Sequence, residues 1–309
     1  MPSYGLFGGI LSSPIDFPEL PTCDGEASWT FIVGAQPKSV IHLIPIGEDS
    51  VYGQVKVRCY RSTAGHQLVY DDTGCFDVED GRLITWHPPN EPENERIVEA
   101  ARADVIGRVL AVAMHQTSVL SLHASAVSLN GAGIAILAPK MHGKSTLAAA
   151  LVRGGGRLMS DDTVPVSGDG AIRLRPGVHQ LRLWKDSAQQ VAREHAGTVS
   201  EARKLVLDRL SDAEVERGVI PFAAAYVLVP GSPDAAEAVV RTPLSEIQAT
   251  LALIEHSKLG PLLGGSDAAL VFAQAAAIAQ VVPVFLLRVA RDLDRLPAVV
   301  STMLEWHRT

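Results

Sequence analysis

Residues 133–162 read GIAILAPKMHGKSTLAAALVRGGGRLMSDD. Ile134, Ala135, Ile136 and Leu137 make the short apolar run of a buried strand. A tight loop, Pro139-Lys140-Met141-His142-Gly143, follows it. Lys144, Ser145 and Thr146 then open a helix that carries Leu147 and Leu151 on one face and stops at Gly154-Gly155-Gly156. Strand, loop and helix in this order are the layout of a phosphate-binding P-loop. Successive backbone N–H groups and the helix N-terminus form an anion nest. Lys144 adds a point charge for β- and γ-phosphates, and the Ser145 hydroxyl can ligate Mg²⁺. The pattern G-x-x-x-x-G-K-[ST] is met except at its first position, where Ala138 stands for Gly. A Cβ is acceptable there only if φ is negative.

The same stretch ends in Asp161-Asp162, after a second strand-like run, Arg157-Leu158-Met159-Ser160. Two adjacent acids alone describe a solvated turn. At this distance from a P-loop they describe an acid beside Mg²⁺ and phosphates. Two carboxylates allow a division of labour, one holding the metal or its water and the other taking a proton from an attacking hydroxyl. Upstream, Leu120-Ser121-Leu122-His123-Ala124-Ser125-Ala126-Val127 places one histidine on a strand expected to run beside the P-loop strand. A lone histidine in an apolar run is by itself more often a core residue than a catalyst.

Together HASAV, GKSTLAAAL and SDD resemble the HPr kinase/phosphorylase family, and within it the serine-kinase-like branch of peptide-maturation clusters, including those for lasso peptides. The resemblance is specific between about Leu122 and Val166. It is weaker through GVHQLRLW, AAAYVLV and FLLRVARDLDRL, and vague before residue 90. It implies a P-loop α/β domain with a mixed sheet and flanking helices. It also implies that His123 sits by the catalytic carboxylate, that Asp161 is the general base and that Asp162 is the metal-side acid, two roles that could be exchanged. A basic residue, Arg203 or Lys204, is implied to face the phosphates. Substrate and cofactor would be ATP (or GTP) with Mg²⁺. The acceptor would be a serine hydroxyl of a precursor peptide or small protein, with the C-terminal serine of a lasso-peptide precursor as the narrowest form. Self-association is a further expectation from the family.

Composition bounds the alternatives. The chain has 309 residues, 47% hydrophobic and 20% charged, enough for a large core and two domains. A net charge of −7 argues against a general nucleic-acid or anionic-membrane binder. Three cysteines, Cys23, Cys59 and Cys75, are few, odd in number and not at metal spacings; they read as reduced thiols of a cytoplasmic protein. The opening MPSYGLFGGILSS lacks the basic start and long apolar core of a signal peptide. Ala268 to Leu287 is almost wholly apolar, but Gln274, Gln280 and Pro283 interrupt it. It reads as a buried helix and a buried strand rather than a membrane span.

The remaining chain divides near His87-Pro88-Pro89-Asn90-Glu91-Pro92, so the expected domains are 1–92 and 93–309. The first is β-rich: Thr30 to Val33, Val40 to Pro45, an alternating run from Tyr52 to Tyr60, and two strands about Asp80-Gly81. It reads as a small antiparallel accessory domain. A helix from Glu93, with Ile97, Ala101, Val105, Val109 and Val112 on one face, is expected to pack on the nucleotide domain. Asn130-Gly131 signals a hairpin into the P-loop strand. Strands follow at Thr163 to Val166, Ile172 to Leu174 and Leu181 to Trp184. The charged segment from Lys185 to Val219 reads as a solvated helical surface. A strand is expected at Ala224 to Val229. A helix capped by Thr242 and Pro243 is expected to bury Leu244, Ile247, Leu251 and Ile254. A final strand and helix run from Val284 to Trp306.

The function expected is that of an ATP-dependent serine kinase. The rivals are a nucleotide-binding regulator without kinase activity, and a phosphorylase or carboxykinase-type enzyme on the same core.

Overall fold

The computed structural model describes residues 1–34, 43–51, 55–89, 94–168, 170–184, 198–199, 204–207 and 210–308. Two compact units emerge, residues 1–121 with 257–274, and residues 122–256 with 275–309.

In the first unit, eight strands form one sheet: β1 (Ser3–Leu6), β2 (Gly9–Ser12), β3 (Trp29–Val33), β4 (Ile44–Val51), β5 (Val55–Arg61), β6 (Gly65–Tyr70), β7 (Gly74–Glu79) and β8 (Leu83–His87). Their order is β1-β2-β3-β8-β7-β6-β5-β4. The sheet is mixed rather than antiparallel, because β3 runs parallel to both β2 and β8. Asp80, Gly81 and Arg82 join β7 to β8, with Asp80 and Gly81 both at positive φ (50° and 66°), as the tight turns of hairpins favour. Trp86 stacks between Phe31 and Phe76 at the centre of the core. The expected strand residues 40–42 and 52–54 lie outside the described residues.

The expected boundary after residue 92 falls inside this first unit. Helix α1 (Glu95–Asp104) starts at the Asn94 cap, passes through a π-helical turn at Val105–Val109 and continues as α2 (Leu110–Gln116). All three belong to the first unit, and Gln116 hydrogen-bonds the backbone of Val78 and Gly81. The helix therefore packs on the β-rich sheet, where its sequence pattern suggested the nucleotide domain. A face of small and β-branched residues fits either partner, so the pattern could not choose.

The second unit is built on β10 (Ala124–Leu129), which follows β9 (Leu120–Leu122) and His123. Its sheet also holds β11 (Ala132–Leu137), β12 (Arg157–Asp161), β13 (Val164–Ser167), β14 (Arg173–Leu174), β18 (Ile220–Gly231), β19 (Val239–Pro243) and β20 (Val284–Ala290). A small separate sheet comprises β15 (Leu181–Trp184), β16 (Thr198–Val199) and β17 (Lys204–Leu207). Strands thus occupy part of the segment read as a helical surface. Helices α3 (Lys144–Arg153), α4 (Glu246–Glu255), α5 (Ser266–Val281) and α6 (Leu296–Trp306) complete the chain.

The Asn130-Gly131 turn does link β10 to β11 as an antiparallel hairpin, with φ of 51° and 80°. β10 is also antiparallel to β12, while β11 is parallel to β18 and β18 to β20. Thr242 and Pro243 lie in β19, paired with Leu286 and Phe285. α4 is capped instead by Ser245, whose side chain accepts from Gln248 in a reciprocal capping box. Half of its expected buried stripe is turned outward: Ile247 is 75% exposed and Leu251 58%, Leu244 and Ile254 are half-buried, and Ala249, Ala252 and Leu253 are buried. This helix is apolar on more than one side, so periodicity marked a face without identifying the core face. The apolar run from Ala268 resolves into nearly all of α5 and the first half of β20, and no described helix is long and apolar enough to cross a membrane. The three cysteines are unpaired with one another.

Candidate active site

Strand direction assembles the site. Because β10 opposes both β11 and β12, its beginning lies level with their ends. Ala124 sits opposite Leu137 and Ser125 opposite Asp161. His123, the loop after β11 and the Asp161-Asp162 pair therefore share one edge of the sheet. A bulge in β12, between the partners of Ala126 and Val127, separates this edge from the rest of the ladder.

The loop has the features its sequence requires. Gly143 takes a left-handed conformation at φ 87° as the N-cap of α3, where a side chain would be strained. Ala138 is fully buried and is not among the residues with positive φ. The methyl group that replaces the usual glycine hydrogen is therefore accommodated. Met141 carries the unusual conformation instead, with φ 69° and a side chain 76% exposed. Pro139, Lys140 and His142 are exposed, and His142 Nδ1 lies 2.8 Å from the Lys140 carbonyl oxygen. Behind the loop, α3 buries Leu147, Leu151 and Val152, each contributing about 1.5–3 kcal/mol to holding the helix on the sheet.

Lys144 is only 7% exposed. Its ammonium donates to the Ala138 carbonyl at 2.7 Å and the Pro139 carbonyl at 3.3 Å, and lies 3.2 Å from His123 Nε2. These contacts offset the desolvation of a charge that would otherwise be costly to bury. An ammonium has no lone pair, so Nε2 of His123 must accept and its ring proton sits on Nδ1. Nδ1 faces Asp162, 3.0 Å from Oδ1 and 3.3 Å from the backbone oxygen. A chain of polar contacts thus runs from Lys144 through His123 to Asp162.

Asp161 belongs to a different set. Its Oδ1 accepts from Ser145 at 3.1 Å and from Ser125 in a short hydrogen bond. Asp162 is a non-glycine residue at φ 78°, with its carboxylate 55% exposed beside the half-buried His123. The two neighbouring acids are separated chemically. One faces the Walker-type serine, and the other faces the histidine and solvent.

Mg²⁺ fits the first set. Adjacent ligands on an octahedral Mg²⁺ at 2.0–2.1 Å stand roughly 3 Å apart, which matches the Ser145–Asp161 separation of 3.1 Å. Among the described residues no cluster of three or more His, Cys, Asp or Glu could hold a metal ion.

Two neighbours escaped the sequence reading. Ser125, fully buried, orients Asp161; its signal was the period-two series Ser121, His123, Ser125 in an apolar run. His256 at the end of α4 accepts from the His123 backbone N–H at 2.7 Å through its own carbonyl. Burial holds the His256 imidazole below its ordinary value; Glu255 opposes this, while Lys144 and His123 reinforce it. No local motif marks that residue. Of the expected phosphate-facing cations, Arg203 lies outside the described residues, and Lys204 begins β17 opposite Trp184.

No protein-family model matches the chain, and no curated protein matches it. Among solved structures, one match is the HPr(Ser) kinase/phosphatase from Coxiella burnetii, at 13% identity and a TM-score of 0.32. That alignment covers 61% of this chain and 95% of the other.

Proposed function

We propose that the protein is an ATP-dependent serine kinase acting on a peptide or small protein. The observation that carries this reading is the continuous polar chain Lys144–His123–Asp162, with Ser145–Asp161 beside it, at the mouth of a P-loop. Phosphoryl transfer needs positioning and charge neutralisation more than covalent chemistry from the protein.

The contacts support the following residue roles. Amides of residues 140–145 cradle the phosphates, and Lys144 exchanges its carbonyl partners for phosphate oxygens. Ser145 and Asp161 are the ligands for Mg²⁺, which when bound would neutralise charge on the β- and γ-phosphates. Asp162 is the base: its exposed carboxylate can meet an incoming serine hydroxyl, while His123 orients it through Nδ1–H. These roles exchange those first carried over from the resemblance, since the acid bonded to Ser145 is Asp161. The narrower acceptor, a C-terminal serine of a lasso-peptide precursor, is supported by the sequence resemblance alone.

The test is incubation with γ-labelled ATP, Mg²⁺ and serine peptides that differ only in whether the serine is C-terminal or internal. Label on the serine of either peptide supports the kinase, and the ratio tests the narrower acceptor. Tight Mg²⁺-dependent nucleotide binding without transfer to any serine would instead favour a nucleotide-binding regulator.

A further inference from the structure

Gln116, the last residue of α2, uses its amide oxygen and both amide hydrogens. The Gly81 N–H donates to Oε1 at 2.6 Å, and Nε2 donates to the Val78 carbonyl at 3.0 Å. Two backbone partners of opposite kind fix which end of the amide is oxygen and which is nitrogen. The second Nε2 hydrogen then points to His66 Nδ1, 2.9 Å away. Nδ1 must accept, so the ring proton of the neutral imidazole sits on Nε2. That proton faces Asp267 at the start of α5. Oδ1 of Asp267 lies 3.4 Å from His66 Nε2 and 3.1 Å from His115 Nε2, while Arg61 pairs with Oδ2. His66 is 5% exposed, so solvent takes little part in these contacts.

We infer that His66 and Gln116 form a proton-operated latch on the turn between β7 and β8: a proton taken up at His66 Nδ1 turns the Gln116 amide over and frees Gly81 and Val78. A cationic imidazole carries N–H groups on both nitrogens and offers no acceptor. With the amide left in place, two donors would face each other across 2.9 Å. The acceptor on Gln116 is Oε1, and it reaches the ring only when the amide rotates by a half-turn. That rotation sets the NH₂ against the Gly81 N–H and withdraws the donor from Val78. The slot for the amide is built from glycines. A Cβ on Gly65 would meet Nε2 at 2.9 Å and Oε1 at 3.1 Å, and one on Gly81 would meet the Gln116 Cβ at 3.3 Å.

The titratable and charged groups facing His66 are Asp267 from α5, His115 from α2 and Arg61 from β5. Burial holds the His66 imidazole below its ordinary 6.5; Asp267 opposes this, while His115 and Arg61 reinforce it. The latch is therefore closed at neutral pH and opens as pH falls below that value. It stands apart from the kinase reading, since none of its residues belongs to the phosphate site.

Heteronuclear NMR of the full chain, titrated from about pH 7.5 to about pH 5, tests the device. At the upper end the His66 ring nitrogens should report the Nε2–H tautomer. On acidification the His66 ring, the Gln116 side-chain NH₂ and the Gly81 N–H should titrate with one common midpoint below 6.5. The Gly81 proton should move upfield as its short hydrogen bond is lost. In His66→Gln, which stays polar but takes up no proton, the Gly81 resonance should lose this pH dependence. An Nδ1–H tautomer at neutral pH would overturn the inference. So would a His66 ring that stays neutral down to acid unfolding, or a Gly81 resonance that stands still while His66 titrates. A Gly81 transition that survives in His66→Gln would assign it to another group, His115 first. Should that variant not fold, the wild-type tautomer and the shared midpoint decide the matter alone.

Discussion

Lys144 Nζ and His123 Nε2 stand 3.2 Å apart, although 21 positions separate them in the chain. The contact ties the residue that would hold phosphate to the residue that orients the proposed base. In the proposed reaction Lys144 would exchange its two carbonyl contacts for phosphate oxygens.

Lys144→Met should therefore separate binding from folding. Charge-assisted hydrogen bonds are worth about 1.5–3 kcal/mol, so nucleotide affinity should fall roughly 10- to 150-fold. Thermal stability should change little, because an apolar chain replaces a buried charge together with its desolvation cost. Unchanged nucleotide affinity by calorimetry would remove Lys144 from the phosphate site.

The two acids should fail differently. Asp162→Asn should cut transfer about 10²- to 10⁴-fold, the usual worth of general-base help, with ATP affinity kept. Asp161→Asn should raise the Mg²⁺ concentration needed for nucleotide binding. Labelled-phosphate transfer and binding at several Mg²⁺ concentrations distinguish them. The reverse result would return the base role to Asp161.

In the proposed reaction Ser125 would act through Asp161 as a positioning residue. Ser125→Ala removes one donor to that carboxylate, and the Mg²⁺ half-saturation should rise several-fold, by about the worth of one hydrogen bond to a charge. Ser125→Thr, which keeps the hydroxyl, should recover part of the loss. A purely structural role would lower Tm without moving the Mg²⁺ dependence.

Restoring the usual glycine should not help. Ala138→Gly should lose about 0.5–1 kcal/mol through greater freedom of the unfolded chain, with nucleotide affinity unaltered. Met141→Gly should go the other way and stabilise the protein, because the left-handed φ of 69° suits glycine. Denaturation midpoints of the two variants check the pair.

Stability should depend on pH from both sides. Burial lowers the imidazoles of His66, His179, His256 and His307 below the ordinary 6.5. They stay neutral in the fold while the unfolded chain takes up protons, so their contribution is full above pH 6.5 and is lost as pH falls below it. Asp104 has the opposite sign: burial raises its carboxyl from 3.8 to about 7. The folded protein keeps that proton while the unfolded chain releases it, so stability falls as pH rises between those values. Asp104→Asn should show a gain that grows from pH 5 to pH 7 and then levels off, about 1–2 kcal/mol after allowing for partial exposure. A gain independent of pH, read from urea midpoints, would contradict the assignment.

Local chemistry explains which parts of this protein are legible in its sequence. Asn130-Gly131 and Asp80-Gly81 are readable because two consecutive positive φ values leave few other residue choices. The strand, loop and α3 are readable because an apolar run, a glycine at positive φ and an amphipathic helix follow one another at fixed spacing. The placement of α1 and α2, and the outward face of α4, depend on which distant surface each helix meets. Apolar periodicity carries no address. The contrast between Asp161 and Asp162 is hidden for a similar reason: adjacent letters say nothing of which carboxylate meets Ser125 and which meets His123 until β10 and β12 are paired.

The left-handed backbone at Asp162 narrows the ways this protein can change over evolutionary time. Glycine, asparagine and aspartate occupy that conformation most readily, so a descendant that abandons the proposed reaction while keeping its architecture should carry Asn or Gly there. If Asp162 is the base proposed above, that one codon would separate an active lineage from an inert scaffold. Such a marker can be read from related genomes without purifying a single protein.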